Sequence, residues 1–513
     1  MGTPRLIKTG ASLLSGQGIQ AAMQLVLPPL FLHHYGVKSY GSWLTLSAAA
    51  NYLGTLNFGL HNFANNHVTI AYNRGDRDEV NVIQATAFAI VLCLAAVASL
   101  FASVLFFLPV SSWLHLSISS PEASAAMYLL GLQILVRLVF GFLQTAFLVV
   151  GAYHRGSNWL NVLQILTLAG TAALTFAHAS FVWIAASQAL TTALMSVLVG
   201  VDLYFKAPVA FPRLQYVARD RVMDILKPSG YYGMLFSASF LVYQLPVIIM
   251  QRMLGPTSVV VFSLTRTIYS MSRQALTAIS SALGPEITEL YGKSNWKSLH
   301  KLYDLSERAV FALVPVVTLC TFLATPALFT LWLHKPEFFQ LDVCILMTLI
   351  SAAAGIKEHK YQFQISINHH KEMARFLFFT YIGMIALMIP LVQWLGIRGF
   401  LGIWLVTETV QILYTVKLNQ NLFSHFSALE IRPLFTLGAV LAVGMIAAWQ
   451  IVFRMEHWLV ILQLAVTLLF AAVLLAIEYP LFGLAAIKDS LPARYRNRAG
   501  RPSGRDKELT SAA

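Results

Sequence analysis

Residues 72–80 read YNRGDRDEV, and 219 positions further on residues 291–299 read YGKSNWKSL. Both stretches are polar and lie between long apolar runs, so each reads as a turn joining two hydrophobic segments. The offset extends beyond the loop. At the same shift Lys8 falls on Lys227, Gly36 on Gly255 and Tyr72 on Tyr291. The segment that opens each half carries proline near its far end, Pro28–Pro29 in one and Pro246 in the other. Later, FVWIAASQ (181–188) falls on GIWLVTET (402–409) at a shift near 221. Weak internal symmetry of this kind is the mark of a duplicated unit.

Composition says what the unit is made of. Of 513 residues, 57% are hydrophobic and 11% charged, where soluble domains run near ~25% charged. Fourteen apolar stretches are expected to span a membrane, near 9–32, 41–63, 83–108, 124–150, 158–178, 180–204, 229–252, 258–283, 309–333, 341–366, 374–395, 398–418, 433–453 and 458–483. Each is about the 20 residues that cross a 30 Å hydrocarbon core at 1.5 Å per residue. Six fall in each copy, and an even number makes the repeats parallel, related by an axis along the membrane normal.

The expected architecture is an all-α integral membrane protein with about 14 transmembrane helices. An N-terminal six-helix bundle (1–205) and a C-terminal one (229–421) are related by pseudo-two-fold symmetry around a central cavity. Between them lies a linker (206–228), whose segment Leu214–Leu226 reads either as a plain connection or as an amphipathic interfacial helix. Two extra helices (432–485) and a basic, disordered tail (486–513) follow.

The charges orient the chain. Twenty-five of the 35 Lys and Arg fall on the side of the N-terminus, and only Lys38, Arg252, Lys335, Arg398 and Arg454 on the other. The positive-inside rule then places both termini in the cytoplasm. The net charge of +13 reflects this asymmetry and not nucleic-acid binding. Cys93, Cys320 and Cys344 all lie in spans, so no disulfide framework is expected. Gly16-Gln17-Gly18 begins inside a span and lacks the strand that a dinucleotide fingerprint requires. No metal-ligand or nucleotide motif is present, so no metal, cofactor or catalytic residue is expected.

Five cations remain, and they lie within spans: Arg137, Arg266, Arg273, Lys357 and Lys360. Each costs roughly 2.5–3.5 kcal/mol at the centre of a lipid-facing helix, about 15 kcal/mol together. They are expected to face a wet, anion-holding cavity. Arg266 and Arg273 are seven apart on one face, about 10 Å along the helix, and their planar forks suit a pyrophosphate. Alternatively each pairs internally, with Glu408 the obvious partner. Arg137 has no acid nearby in sequence. Lys357 and Lys360 share a face, and either line the cavity or reach the headgroups by snorkelling. Glu408 reads as a proton- or sodium-coupling carboxylate or as a structural partner of arginine. Asn51 and Asn57 read as sugar-binding amides or as interhelical bonds. Glu478 is expected at the inner interface.

The polar first span (GASLLSGQGIQAAMQLVLPP, 10–29), the loop AYNRGDRDE (71–79) and ALGPEITELYGKSNWKSLHKLY (282–303) resemble the multidrug/oligosaccharidyl-lipid/polysaccharide (MOP) exporter superfamily. Within it they are most similar to Wzx-like O-antigen flippases. That resemblance implies movement of an undecaprenyl-pyrophosphate-linked oligosaccharide across the bacterial inner membrane by alternating access. It also implies working partners among polysaccharide polymerases or glycosyltransferases. An ion-coupled multidrug exporter shares the architecture, but a pocket for cationic drugs wants acids, and here the buried cations outnumber them. A polymerase or ligase needs a large outer loop; the longest expected is 108–123.

Overall fold

The computed structural model describes residues 3–57, 59–367, 371–423, 432–454 and 460–484; the tail expected over 486–513 lies outside them. The described residues are helical, with no strand. The helices are α1 (Thr3–Ala50), α2 (Leu60–Asn73), α3 (Arg77–Ala102), α4 (Val110–Leu114), α5 (Ser120–Ala146) and α6 (Tyr153–Phe176). Next come α7 (Phe181–Lys206), α8 (Val222–Tyr243), α9 (Leu245–Leu254), α10 (Pro256–Ala282), α11 (Gly284–Gly292) and α12 (Trp296–Leu328). The series ends with α13 (Leu341–Ser366), α14 (Lys371–Leu395), α15 (Ile397–Leu422), α16 (Arg432–Arg454) and α17 (Val460–Leu481).

The 219-residue period is written into the backbone. Gly36 and Gly255 both adopt positive φ with extended ψ, at 73°/174° and 82°/178°. That region is essentially reserved for glycine, and it lets the chain break direction between α1's two halves and between α9 and α10. The quoted loops match bond for bond. Gly75 N–H donates to the Tyr72 carbonyl (3.1 Å) and Asp76 N–H to Ala71 (3.1 Å); Ser294 donates to Tyr291 and Asn295 to Leu290, both at 2.9 Å. This is the paired closure of a Schellman motif. The next helix is then capped by the side chain at the same repeat position, Asp76 accepting from Glu79 N–H (3.0 Å) and Asn295 from Ser298 N–H (3.2 Å). The one-turn helix α4 recurs as a π-turn over Phe329–Leu333, and each ends on a left-handed histidine, His115 and His334, both at φ 51°.

Ten helices among the described residues are long and apolar enough to cross a bilayer. The expected spans near 9–32, 41–63, 258–283 and 341–366 are not among these ten, although their residues fold largely as helix. They are the ones that carry Gln17, Gln20 and Gln24, Asn51 and Asn57, the two arginines of α10, and the two lysines of α13. Their polarity is what lowers their hydropathy. The Leu214–Leu226 segment does not form an amphipathic helix. It makes two 3-10 turns, Leu214–Tyr216 and Arg219–Arg221, before α8 begins at Val222. Gln84 and Thr86 of α3 hold it, bonding the Ala210 carbonyl (2.9 Å) and the Ala218 N–H (3.1 Å).

The chain divides into two compact units whose boundaries cut across helices. The first comprises Met1–Met271, Leu328–Ile350 and Asn368–Leu413. Its core gathers around α5, which packs along α7 and against α1, α3 and α6. Leu135, Phe140, Phe142 and Phe147 meet Val80, Met195 and Val199 there, all almost wholly buried. The second unit comprises Ser272–Ala327, Ser351–Ile367 and Tyr414–Ala513, and includes a cluster of Ile287, Leu299, Tyr303, Phe363 and Phe423.

Substituting alanine at Gly36 or Gly255 is expected to destabilise the protein by about 1–3 kcal/mol each, since the new Cβ is forced into a glycine-only conformation. Thermal unfolding of the purified variants checks this, with Gly18→Ala, at a position with nothing within 4 Å of the added carbon, as the neutral control.

Candidate functional site

In the first unit the chemistry starts at a proline. Pro246 has no N–H, so the helix cannot run unbroken from α8 into α9. Val247 N–H turns to the Gln244 carbonyl instead (3.1 Å), leaving the Tyr243 carbonyl without its usual acceptance from residue 247. The guanidinium of Arg266, on α10, donates to that carbonyl and stands 5.1 Å from the Phe262 ring centroid. Arg266 also lies within electrostatic reach of buried Tyr40 on α1.

From the same Tyr243 an aromatic chain leads to the acid. Its ring meets Trp404 edge-on at 6.0 Å, and Trp404 stacks on Phe400 at 5.4 Å. Trp404 Nε1–H donates to Glu408 Oε1 (3.0 Å), and Tyr381 Oη–H donates to the same oxygen (2.8 Å). Glu408 is 1% exposed. Glu408 thus bonds Tyr381 and Trp404, and Arg266 bonds the Tyr243 carbonyl.

Arg137 is different in kind. It sits in the middle of α5, flanked by Leu135 and Leu138, which are buried, yet it is itself exposed. It has no hydrogen bond or ion pair among the described residues. Ile134 and Gly141, three before and four after it, lie on the same helical face. That face turns toward Gly54 of the 3-10 segment Asn51–Asn57 and toward His61 of α2. Asn51, which opens that segment, is exposed, and its amide donates to the Ser47 carbonyl (2.9 Å).

The second unit holds the remaining three cations. Arg273 is half-buried on α10 and Lys357 is buried on α13. Lys360, expected to face a cavity or to snorkel, does neither in this structure: it is 1% exposed and forms an ion pair with Glu307 of α12. Its ammonium also donates to Tyr303 Oη (2.6 Å) and lies 4.5 Å from that ring's centroid. Asn419 braces the backbone at Lys360, donating to its carbonyl (3.1 Å), and accepts from Gln364 Nε2 (2.7 Å). His359 beside it pairs with Ser306 at 2.8 Å. Glu478, expected at the interface, is fully buried.

Sequence reasoning missed Glu307, Tyr303, Tyr243, Trp404 and Tyr381. The signal for Glu307 was available: it falls seven residues before Val314 on a helix that begins at Trp296, not near 309. Two apolar cavities also open on the surface. One of about 430 Å³ lies between α16 and α17, and one of about 520 Å³ is lined by Tyr52, Leu53 and α3 residues; none of the five cations lines either.

Among solved structures the chain is similar to an inward-facing multidrug resistance MATE family transporter of the MOP superfamily. The TM-score is 0.64 at 14% identity, covering 80% of this chain and 96% of that one. It is also similar to the lipid II flippase MurJ in an inward closed conformation (TM-score 0.67, 11% identity, 93% and 99% covered). A third is the MATE multidrug transporter DinF-BH (0.59, 15%, 82% and 96%). The chain shares its fold with these proteins. These neighbours are transporters and a flippase, not enzymes, and the chain is a multi-pass membrane protein. No family model matches the sequence, and no curated protein matches it.

Because Lys360 and Glu307 are paired away from water, removing one strands the other. Lys360→Met or Glu307→Leu is expected to cost about 3–5 kcal/mol, whereas the double variant recovers much of that loss. A double-mutant cycle on thermal stability reads the coupling directly.

Proposed function

We propose that this protein is a flippase for an anionic lipid-linked oligosaccharide, in which sugars are carried on undecaprenyl pyrophosphate. The substrate is an O-antigen or other surface-polysaccharide repeat unit, moved across the bacterial inner membrane by alternating access. Both termini lie in the cytoplasm, as the distribution of Lys and Arg requires. Polysaccharide polymerases or glycosyltransferases supply or consume the lipid-linked unit.

The observation that carries this reading is Arg137. An exposed guanidinium at mid-helix, with no partner among the described residues, is intolerable against lipid and useful only against a hydrated anion. Arg266 supports it, because its fork reaches the neutral Tyr243 carbonyl, and a phosphate oxygen makes a stronger, charge-assisted bond with such a fork. Arg137 and Arg266 are assigned to the phosphates and Asn51 to sugar hydroxyls. In the second unit Lys360 supports its helix. Glu408 is the site of proton or sodium coupling. A neighbour whose name is lipid II flippase, matched over 99% of its length, accords with a lipid-linked substrate.

One observation favours a second reading, an ion-coupled multidrug exporter. Glu408 sits among Trp404, Phe400, Tyr381 and Tyr243, and an acid nested in aromatic faces suits a lipophilic cation.

The two readings separate on a pair of variants. Arg137→Ala is expected to lower export of lipid-linked units about tenfold to a hundredfold, the loss of one charged hydrogen bond, at unchanged protein level, with finished units stranded on the inner leaflet. Full export in Arg137→Ala overturns the anion site. Increased drug sensitivity in Glu408→Gln, with sugar export intact, favours the exporter.

A further inference from the structure

The two helices that follow the repeat hold a second buried acid. In the second unit α16 and α17 pack against α12. Leu319 of α12 leaves no room for a side chain at Gly444 of α16, and Phe311 meets Phe482, just past α17, at 6.2 Å. The buried residues of α17 are Gln463, Thr467, Leu474 and Glu478, spaced four, seven and four apart on one face. Glu478 is 0% exposed, on the most apolar of the ten spanning helices. Neither of its carboxylate oxygens has a hydrogen-bond partner among the described residues.

An ionised carboxylate so placed carries an uncompensated burial penalty of several kcal/mol. A metal ion does not relieve it, because hard cations require several oxygens at once, and the described residues hold no such cluster of acids, histidines or cysteines. A proton does. Among the described residues the titratable groups near the acid are few. From α12 comes the Cys320 thiol, and the Arg308 guanidinium lies further along, 2.8 Å from where a side chain at Gly483 would begin. Tyr479 adjoins it on α17, and residues 433–453 of α16 contain no titratable side chain.

We propose that Glu478 is a proton-binding site on the appended helix pair: it holds a proton while buried against α12 and releases it when α17 shifts the acid toward Arg308. On release the carboxyl O–H bond breaks, the proton passes to water, and the remaining carboxylate is stabilised by the guanidinium. The link of this site to transport rests on the flippase reading; the bound proton does not.

The test uses the full-length protein in lipid nanodiscs, titrated by infrared spectroscopy. Wild type is expected to show the carbonyl stretch of a protonated carboxylic acid at neutral pH that is missing from the isosteric Glu478→Gln. Identical spectra for the two overturn the proton site, whatever the protein transports. In parallel, export of lipid-linked sugar by Glu478→Gln is expected to lose its dependence on pH while persisting; an unchanged pH profile overturns the coupling role. Absence of sugar export by wild type overturns the flippase reading alone, since the infrared difference is read independently.

Discussion

Hydrocarbon has no water to offer, so each charge and each freed carbonyl within it must be answered from inside the chain. That constraint explains the polar contacts of this protein better than any motif does. The break at Pro246 frees the Tyr243 carbonyl, and Arg266 answers it. Lys360 is answered by Glu307 and the face of Tyr303. One oxygen of Glu408 is answered by Tyr381 and Trp404. Against this background Arg137, exposed in mid-helix, and Glu478, buried, stand out as groups with no such answer among the described residues.

The same constraint accounts for the economy of the turns. Helices that fill a bilayer must end abruptly, and the chain ends them twice by the same means. A glycine-only break at Gly36 and Gly255, a left-handed histidine at His115 and His334, and a capping side chain at Asp76 and Asn295 recur 219 residues apart. Asp and Asn differ in charge but share the oxygen that caps, which is why the repeat survives there in geometry though not in identity.

Much of this was legible in the sequence. Periodic apolar runs gave the helices, and the loop pair at 72–80 and 291–299 gave the period, because turn chemistry is local. Pro246 announced its break for the same reason. What was not legible depends on contacts distant in sequence. Glu307 drew no notice because α12 starts thirteen residues before the apolar run expected at 309–333. The aromatic chain from Tyr243 to Glu408 joins α8 to α15, and no spacing rule connects them. Hydropathy averages around a helix, so it could not tell that Glu478 shares the buried face of α17 with Gln463, Thr467 and Leu474. Four polar spans also fell short as spans, since the amides and cations they carry weaken the hydrophobic signature.

The Arg266 contact has one more consequence. A guanidinium already occupied by a backbone oxygen does not offer an arriving anion its full attraction; it offers the difference between two bonds. Exchange of that kind sets a modest affinity and a short residence. On the flippase reading, a cation with a built-in competitor releases its cargo readily at the end of each cycle.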